Sequence, residues 1–348
     1  MNIVINIKNW LELPEYKFLK ERNDMLLLGM GGSYAYGLNT ETSDYDIRGI
    51  IETPINVLLG TQEYEQFVDD ETDTTLYTLN KMIKLLISNN PNTLEICGLK
   101  SEHYIANDIG QKLVDNIDMF LSRKAIGSFK GYALAQLHRM ENALCHDTYS
   151  ESQKLAHIKN AMERAMLSFN GRYEGFEGQK LAIKEDKSRL LLEGEINGCP
   201  ISEFYGMISE LKEIQKNYDK LNNRNSKKDT YHLCKHIMHI FRLLYMYIDI
   251  AKDLKVITYR EKEQDYLLQI KNGLFIKDDG SLRKEFYDAY SELEKEVDYV
   301  TKYTILPEHP DYAKIEEFVM SSNMATVLNQ YNTTEKLLNR IRGEHKYE

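Results

Sequence analysis

The chain has 348 residues, with 44 Lys and Arg against 54 Asp and Glu, giving a formal net charge of −10. That length suits two domains of ~100–200 residues each and allows a buried core, which excludes an intrinsically disordered chain. The acidic balance excludes a protein that coats nucleic acid non-specifically.

Residues 11–24 are expected to form a helix, with Leu11, Leu13, Phe18 and Leu19 as its apolar positions. The apolar run Met25–Met30 ends in Gly31-Gly32 and reads as a buried strand entering a turn. A short helix over 33–38 and a second strand over 45–52 follow. A turn at Asp69, Asp70 and Glu71 precedes a strand through 73–77. Beyond Leu79 the pattern turns helical: one helix stops at Asn89-Asn90-Pro91 and another begins at Thr93. Long helices are expected over 110–145, 151–170, 202–221 and 229–254, and the last third is mostly helical. Segment 171–200 fits either a loop or a small hairpin. The layout is α+β: a small mixed sheet over 1–110, then a helical region over 111–348 forming the other wall of an active-site cleft.

Charge is unevenly placed. Residues 1–110 carry 8 basic and 17 acidic side chains, 8 − 17 = −9, so the remainder is nearly neutral. Phosphate chemistry in so acidic a segment requires metal ions to offset the repulsion. The four cysteines, Cys97, Cys145, Cys199 and Cys234, are scattered. This spacing argues against a disulfide framework or a zinc ribbon and favours a reducing compartment. Residues 1–10 lack a signal-peptide core, and the longest apolar stretches, such as 243–250, fall short of a membrane span. A cytoplasmic protein with no membrane partner is expected.

Chemistry concentrates in residues 28–49. Gly32 lets the backbone approach a ligand closely. Ser33 would open a helix whose free N–H groups favour phosphate, and its hydroxyl can donate to a phosphate oxygen. Asp44 and Asp46 are two apart, so on a strand they share a face. Two carboxylates so placed repel unless a cation lies between them, and oxygen ligands of this kind suit Mg²⁺ or Mn²⁺. A third carboxylate is needed; Asp73 is the candidate, with Asp69, Asp70 and Glu71 as rivals. Arg48 would share the face of Asp46 and either contact phosphate or neutralise the carboxylates. The bland alternative is a surface loop shaped by an Asx-turn.

The run Gly-Ser-x-x-Tyr-Gly at 32–37 with Ser-Asp-x-Asp-x-Arg-Gly at 43–49 resembles the nucleotidyltransferases of the DNA polymerase β superfamily, most closely the RNA-repair-associated branch. Asn-Pro-Asn-Thr-Leu-Glu at 90–95 and Lys-His-x-x-His-x-x-Arg-Leu-Leu at 235–244 are similar to further motifs of that branch. The resemblance covers about residues 25–100 and 230–250. It implies that Gly32 and Ser33 bind triphosphate and that Asp44 and Asp46 bind metal. The implied reaction moves a nucleoside monophosphate from an NTP to a hydroxyl, most simply an RNA end, releasing pyrophosphate. A protein or small-molecule acceptor, and a non-catalytic nucleotide-binding protein, are the alternatives. Oligomeric state is not specified.

On one helix, Lys235, His239 and Arg242 lie within about 60° of one another. They form a cationic stripe suited to phosphate, with Arg242 the best bidentate donor. Plain helix surface is the competing reading; zinc held by His232, His236, His239 and Cys234 is a third. Weaker nucleotide or RNA candidates are Arg123, Lys124, Lys130, Tyr132, Gln136, Lys180, Lys184, Lys187, Arg189, Lys227 and Lys228, for each of which packing or solvated charge competes.

Overall fold

The computed structural model describes residues 7–41, 43–144, 151–172, 182–186, 189–193, 201–219, 230–278 and 280–332. The chain divides into two compact units that alternate along the sequence. The first comprises Met1–Tyr132, Arg242–Leu268 and Ser291–Glu348; the second comprises Ala133–Phe241 and Gln269–Tyr290. The expected boundary near residue 110 falls inside the first unit.

The first unit is built on a five-stranded mixed sheet: β1 (Met25–Met30), β2 (Ile47–Ile51), β3 (Gln66–Asp69), β4 (Thr74–Thr78) and β5 (Tyr104–Ala106), in the order β3-β4-β2-β1-β5. β1 runs antiparallel to β2 and β5, β2 pairs parallel with β4, and β3 antiparallel with β4. Leu26, Leu27, Leu28 and Met30 are all buried, which is why β1 reads as a continuous apolar run rather than an alternating one. Ile7, Trp10, Leu11, Tyr16 and Leu19 cover the sheet at Leu28, Met30, Ile47 and Leu76.

The expected helix over 11–24 is broken. Helix Ile7–Trp10 ends before Leu11, a 3₁₀ turn spans Pro14–Tyr16, and helix Lys17–Lys20 follows. Pro14 lacks an N–H and tolerates only the first turn of a helix, so it splits the segment.

β4 leads directly into helix Leu79–Ile87, whose first turn is capped by the Thr78 hydroxyl accepting from Lys81 N at 3.3 Å. The helix ends at Asn89, left-handed at φ 53° and fully buried. Its side-chain amide donates to Leu86 O at 2.9 Å and Phe120 O at 2.7 Å and accepts from Ser122 N at 3.0 Å. A single residue therefore stops one helix and fastens the chain 31–33 positions later.

In the second unit, helices Glu151–Arg172 and Ile201–Asp219 pack through Ile158, Met162, Met166, Met207 and Ile214. Segment 171–200 contains an antiparallel hairpin, β6 (Ala182–Asp186) with β7 (Arg189–Glu193), so of its two readings the hairpin holds. Phe241, Phe275 and Phe286 form an aromatic cluster with centroids 5.7–6.3 Å apart.

Candidate active site

The site lies where β1 gives way to a turn. Gly31 stays extended, Gly32 takes φ +52°, and a single helical turn runs over Gly32–Ala35. Ser33 is on that turn, and its carbonyl accepts from Leu38 N at 2.8 Å. The carboxyl group of Asp46 lies directly against these glycines. A Cβ on Gly31 would meet Asp46 Oδ1 at 2.7 Å, and one on Gly32 would meet Oδ2 at 2.9 Å. Any side chain at either position would displace the carboxylate, so close approach requires both glycines, and the left-handed backbone requires Gly32 in addition.

Asp44 and Asp46 do not sit on the strand, as the sequence reading expected. β2 begins at Ile47, and both aspartates precede it. Ile47 is the first residue held on both sides: it pairs with Met30, and its N–H donates to Asp73 O at 3.1 Å. Just before it, Gly31 N donates to Asp46 O at 2.6 Å. Asp44 is exposed. Between them Tyr45 packs on Trp10 at 4.4 Å and on Tyr34 at 5.1 Å, which anchors the loop that carries the two acids.

Asp73, the candidate third acid, immediately precedes β4 at φ 45°, a left-handed position that Asp tolerates better than most residues. Its rival Asp69 is taken up by the turn, accepting from Thr72 Oγ1 at 2.9 Å and Glu71 N at 3.1 Å. Arg48 spans the remaining pair, 3.0 Å from Asp46 Oδ1 and 3.7 Å from Asp73 Oδ1. Its guanidinium also donates to Thr75 Oγ1 at 3.1 Å.

Asp46 has unusual electrostatics. Burial pushes its pKa up to about 6; the Asp73 and Glu95 charges push the same way, while Arg48 and Arg242 oppose them. Although Arg48 lies close to Oδ1, that buried oxygen accepts no hydrogen bond, so its charge partner is not aligned as a donor. A buried carboxylate oxygen with no hydrogen bond is a donor of the kind that hard divalent cations take, and the burial that raises its pKa is a cost that a nearby cation would offset. The acid residues present fit Mg²⁺ or Mn²⁺ in kind. Among the described residues, however, no three His, Cys, Asp or Glu side chains gather closely enough to hold a metal. The same statement covers His232, His236, His239 and Cys234.

Arg242 is buried rather than displayed. Its guanidinium stacks 3.7 Å from the Tyr36 ring centroid and lies 3.6 Å from Glu95 Oε2. Tyr36 and Glu95 stood inside motifs quoted from the sequence, yet nothing in the spacing of those motifs assigned them to a common contact. Lys235 and His239 belong to the second unit. There Lys235 Nζ lies 4.7 Å over the Tyr231 ring, and His239 is half-buried.

The weaker cationic candidates are largely engaged internally. Arg123 pairs with Glu308, Lys130 with Asp298 and Lys184 with Glu193, and Lys124 Nζ donates to Tyr312 OH at 3.3 Å. Tyr132 OH accepts from Asn90 at 3.0 Å, and Gln136 Oε1 meets His236 Nδ1 at 2.9 Å. Arg189 is exposed at the head of β7. Lys180, Lys187, Lys227, Lys228, Cys145 and Cys199 lie outside the described residues. No helix among the described residues is long and apolar enough to cross a membrane.

No curated protein and no solved structure matches the chain. One family model does, and its matched span contains the Gly31–Gly32 turn, Asp44, Asp46, Asp73 and Glu95. Residues 16–163 of the chain match the model of the RNA repair pathway DNA polymerase beta family.

Proposed function

We propose that the protein is a metal-dependent nucleotidyltransferase that moves a nucleoside monophosphate from an NTP to an acceptor hydroxyl, an RNA end being the first choice. The observation that carries this reading is the Asp46 carboxyl: half-buried, raised to a pKa of about 6, pressed against the Gly31–Gly32 turn, and left with a buried oxygen, Oδ1, that accepts no hydrogen bond.

The backbone at Gly32 and Ser33 cradles the triphosphate, which no Cβ at 31 or 32 obstructs. Asp44, Asp46 and Asp73 are the residues that would hold Mg²⁺ or Mn²⁺, and their carboxylates would have to draw together to do so. Such a cation, when bound, neutralises triphosphate charge and favours ionisation of the acceptor hydroxyl. Arg48, already beside two of these acids, is placed to meet phosphate once they are otherwise neutralised. The acceptor oxygen forms a bond to the α-phosphorus, its proton passes to water, and the bond from the α-phosphorus to the bridging oxygen breaks. Pyrophosphate leaves with that electron pair. Catalysis of this type is mostly positioning and electrostatics.

A second reading, a nucleotide-binding protein without catalysis, is favoured by one observation: Arg48 occupies the space between Asp46 and Asp73. One assay separates the two. Wild type and Asp46→Asn are incubated with α-³²P-labelled NTPs and Mg²⁺, with and without RNA. Label in RNA that is lost in Asp46→Asn supports the transferase. Label in the protein itself or in an added small hydroxyl compound changes the acceptor. Retained nucleotide binding with no transfer in any arm establishes the binding protein.

A further inference from the structure

Tyr36 follows the short helical turn of the site and is fully buried. Its hydroxyl donates to Glu95 Oε2 at 2.6 Å. The same oxygen lies 3.6 Å from Arg242, whose guanidinium covers the Tyr36 ring at 3.7 Å. Three segments far apart in sequence thus meet in one buried contact, all within the first unit.

The surrounding chain clamps the same turn from another side. Gly37 stands at φ +70°, and its carbonyl accepts from Gln264 Nε2 at 2.6 Å. A Cβ there would meet the Tyr259 ring at 2.5 Å. Thr258 Oγ1 in turn donates to Glu95 O at 2.6 Å.

The Glu95–Arg242 pair is not arranged for stability. A stabilising buried pair is bidentate with every donor satisfied. This one has a single long contact, and Arg242 Nε is buried without a hydrogen-bond partner. An apolar side chain of similar volume would fill the space with less desolvation. What the charged pair provides instead is direction, because it fixes the ring and hydroxyl of Tyr36 and through them the backbone of residues 32–37.

We propose that Tyr36, Glu95 and Arg242 are positioning residues that set the Gly32–Gly37 turn for the triphosphate, with Arg242 acting through the turn and not by touching phosphate. The inference rests on the nucleotidyltransferase reading for its substrate, but the effect on the turn stands without it.

The test uses the full chain with Tyr36→Phe, which removes only the hydroxyl, and Glu95→Gln, which keeps the shape. Amide hydrogen exchange is followed at Ala35, Gly37 and Leu38, whose N–H groups donate to Gly31 O, Tyr34 O and Ser33 O. Exchange there should rise by about tenfold in both variants while β1 and β2 amides stay protected. Where wild type transfers nucleotide, KM for the NTP should rise about three- to tenfold with kcat within about twofold, the pattern of lost uniform binding. Unchanged exchange at these three amides in both folded variants overturns the positioning role. So does a fall in kcat at constant KM, which would make the trio direct participants in the chemistry. Wild type that transfers nothing overturns the proposed reaction instead, and the exchange result is then read alone.

Discussion

At the scale of single residues, Asp46 is central to the proposed chemistry, and its raised pKa makes a prediction that needs no substrate. The ordinary value is 3.8 and the folded value about 6, so the folded protein holds this proton more tightly than the unfolded chain. Stability of the metal-free protein therefore falls as pH rises from about 4 to 6, and the full cost is present above that window. Asp46→Asn cannot ionise and should lack this component. Urea titrations with chelator at pH 4.5 and 7.5 should show the variant gaining on wild type by on the order of 2 kcal/mol at the higher pH. An equal difference between the two proteins at both pH values would remove the buried-carboxylate account. On the proposed metal reading, Mg²⁺ supplied together with an NTP should then stabilise wild type at pH 7.5 more than the variant, which lacks one of the anionic ligands.

At the scale of elements, Asn89 joins the C-terminus of helix Leu79–Ile87 to the backbone at Phe120 and Ser122. Asn89→Ala removes the side-chain partner of two buried backbone groups, Phe120 O and Ser122 N, while Leu86 O keeps the N–H of residue 89, and it places a less tolerant residue at positive φ. A loss of about 3 kcal/mol is expected, read as a lower urea midpoint. Asn89→Gly keeps the backbone conformation and should recover only part of it. Elements such as β1 were legible because an unbroken apolar run between polar residues has one reading. β5 was not: Tyr104–Ala106 is too short to show a period, and it is a strand only because the β1 edge needs a partner. Asp44 and Asp46 stand out in the sequence by type and spacing. Their placement ahead of β2 followed from the Tyr45 contacts with Trp10 and Tyr34, which the sequence does not display. The contact of Tyr36 with Glu95 and Arg242 was equally hidden, since pairs that meet only through the fold leave no local periodicity.

At the scale of the whole molecule, the first unit draws on three stretches of chain. A fragment ending at residue 110 or 132 retains all five strands but loses Arg242, Thr258, Tyr259 and Gln264, the partners of the Gly32–Gly37 turn. Such fragments should fail to give the near-ultraviolet circular dichroism and cooperative unfolding of the full chain. A fragment that folds cooperatively would show that the 242–268 segment is dispensable to the sheet. The same arrangement explains why a boundary near residue 110 looked natural in sequence: the change from strand to helix is real, but it is not where the compact unit closes.

Arg48 gives the resting protein an internal counter-ion. Because its guanidinium already lies beside Asp46 and Asp73, a stray cation would meet a pair whose charge is partly balanced, despite an acidic first third. A divalent ion arriving alone must compete with a tethered charge, whereas one arriving with a triphosphate brings the anion that the displaced arginine can take up. On the proposed reading, metal and nucleotide would thereby enter as a couple.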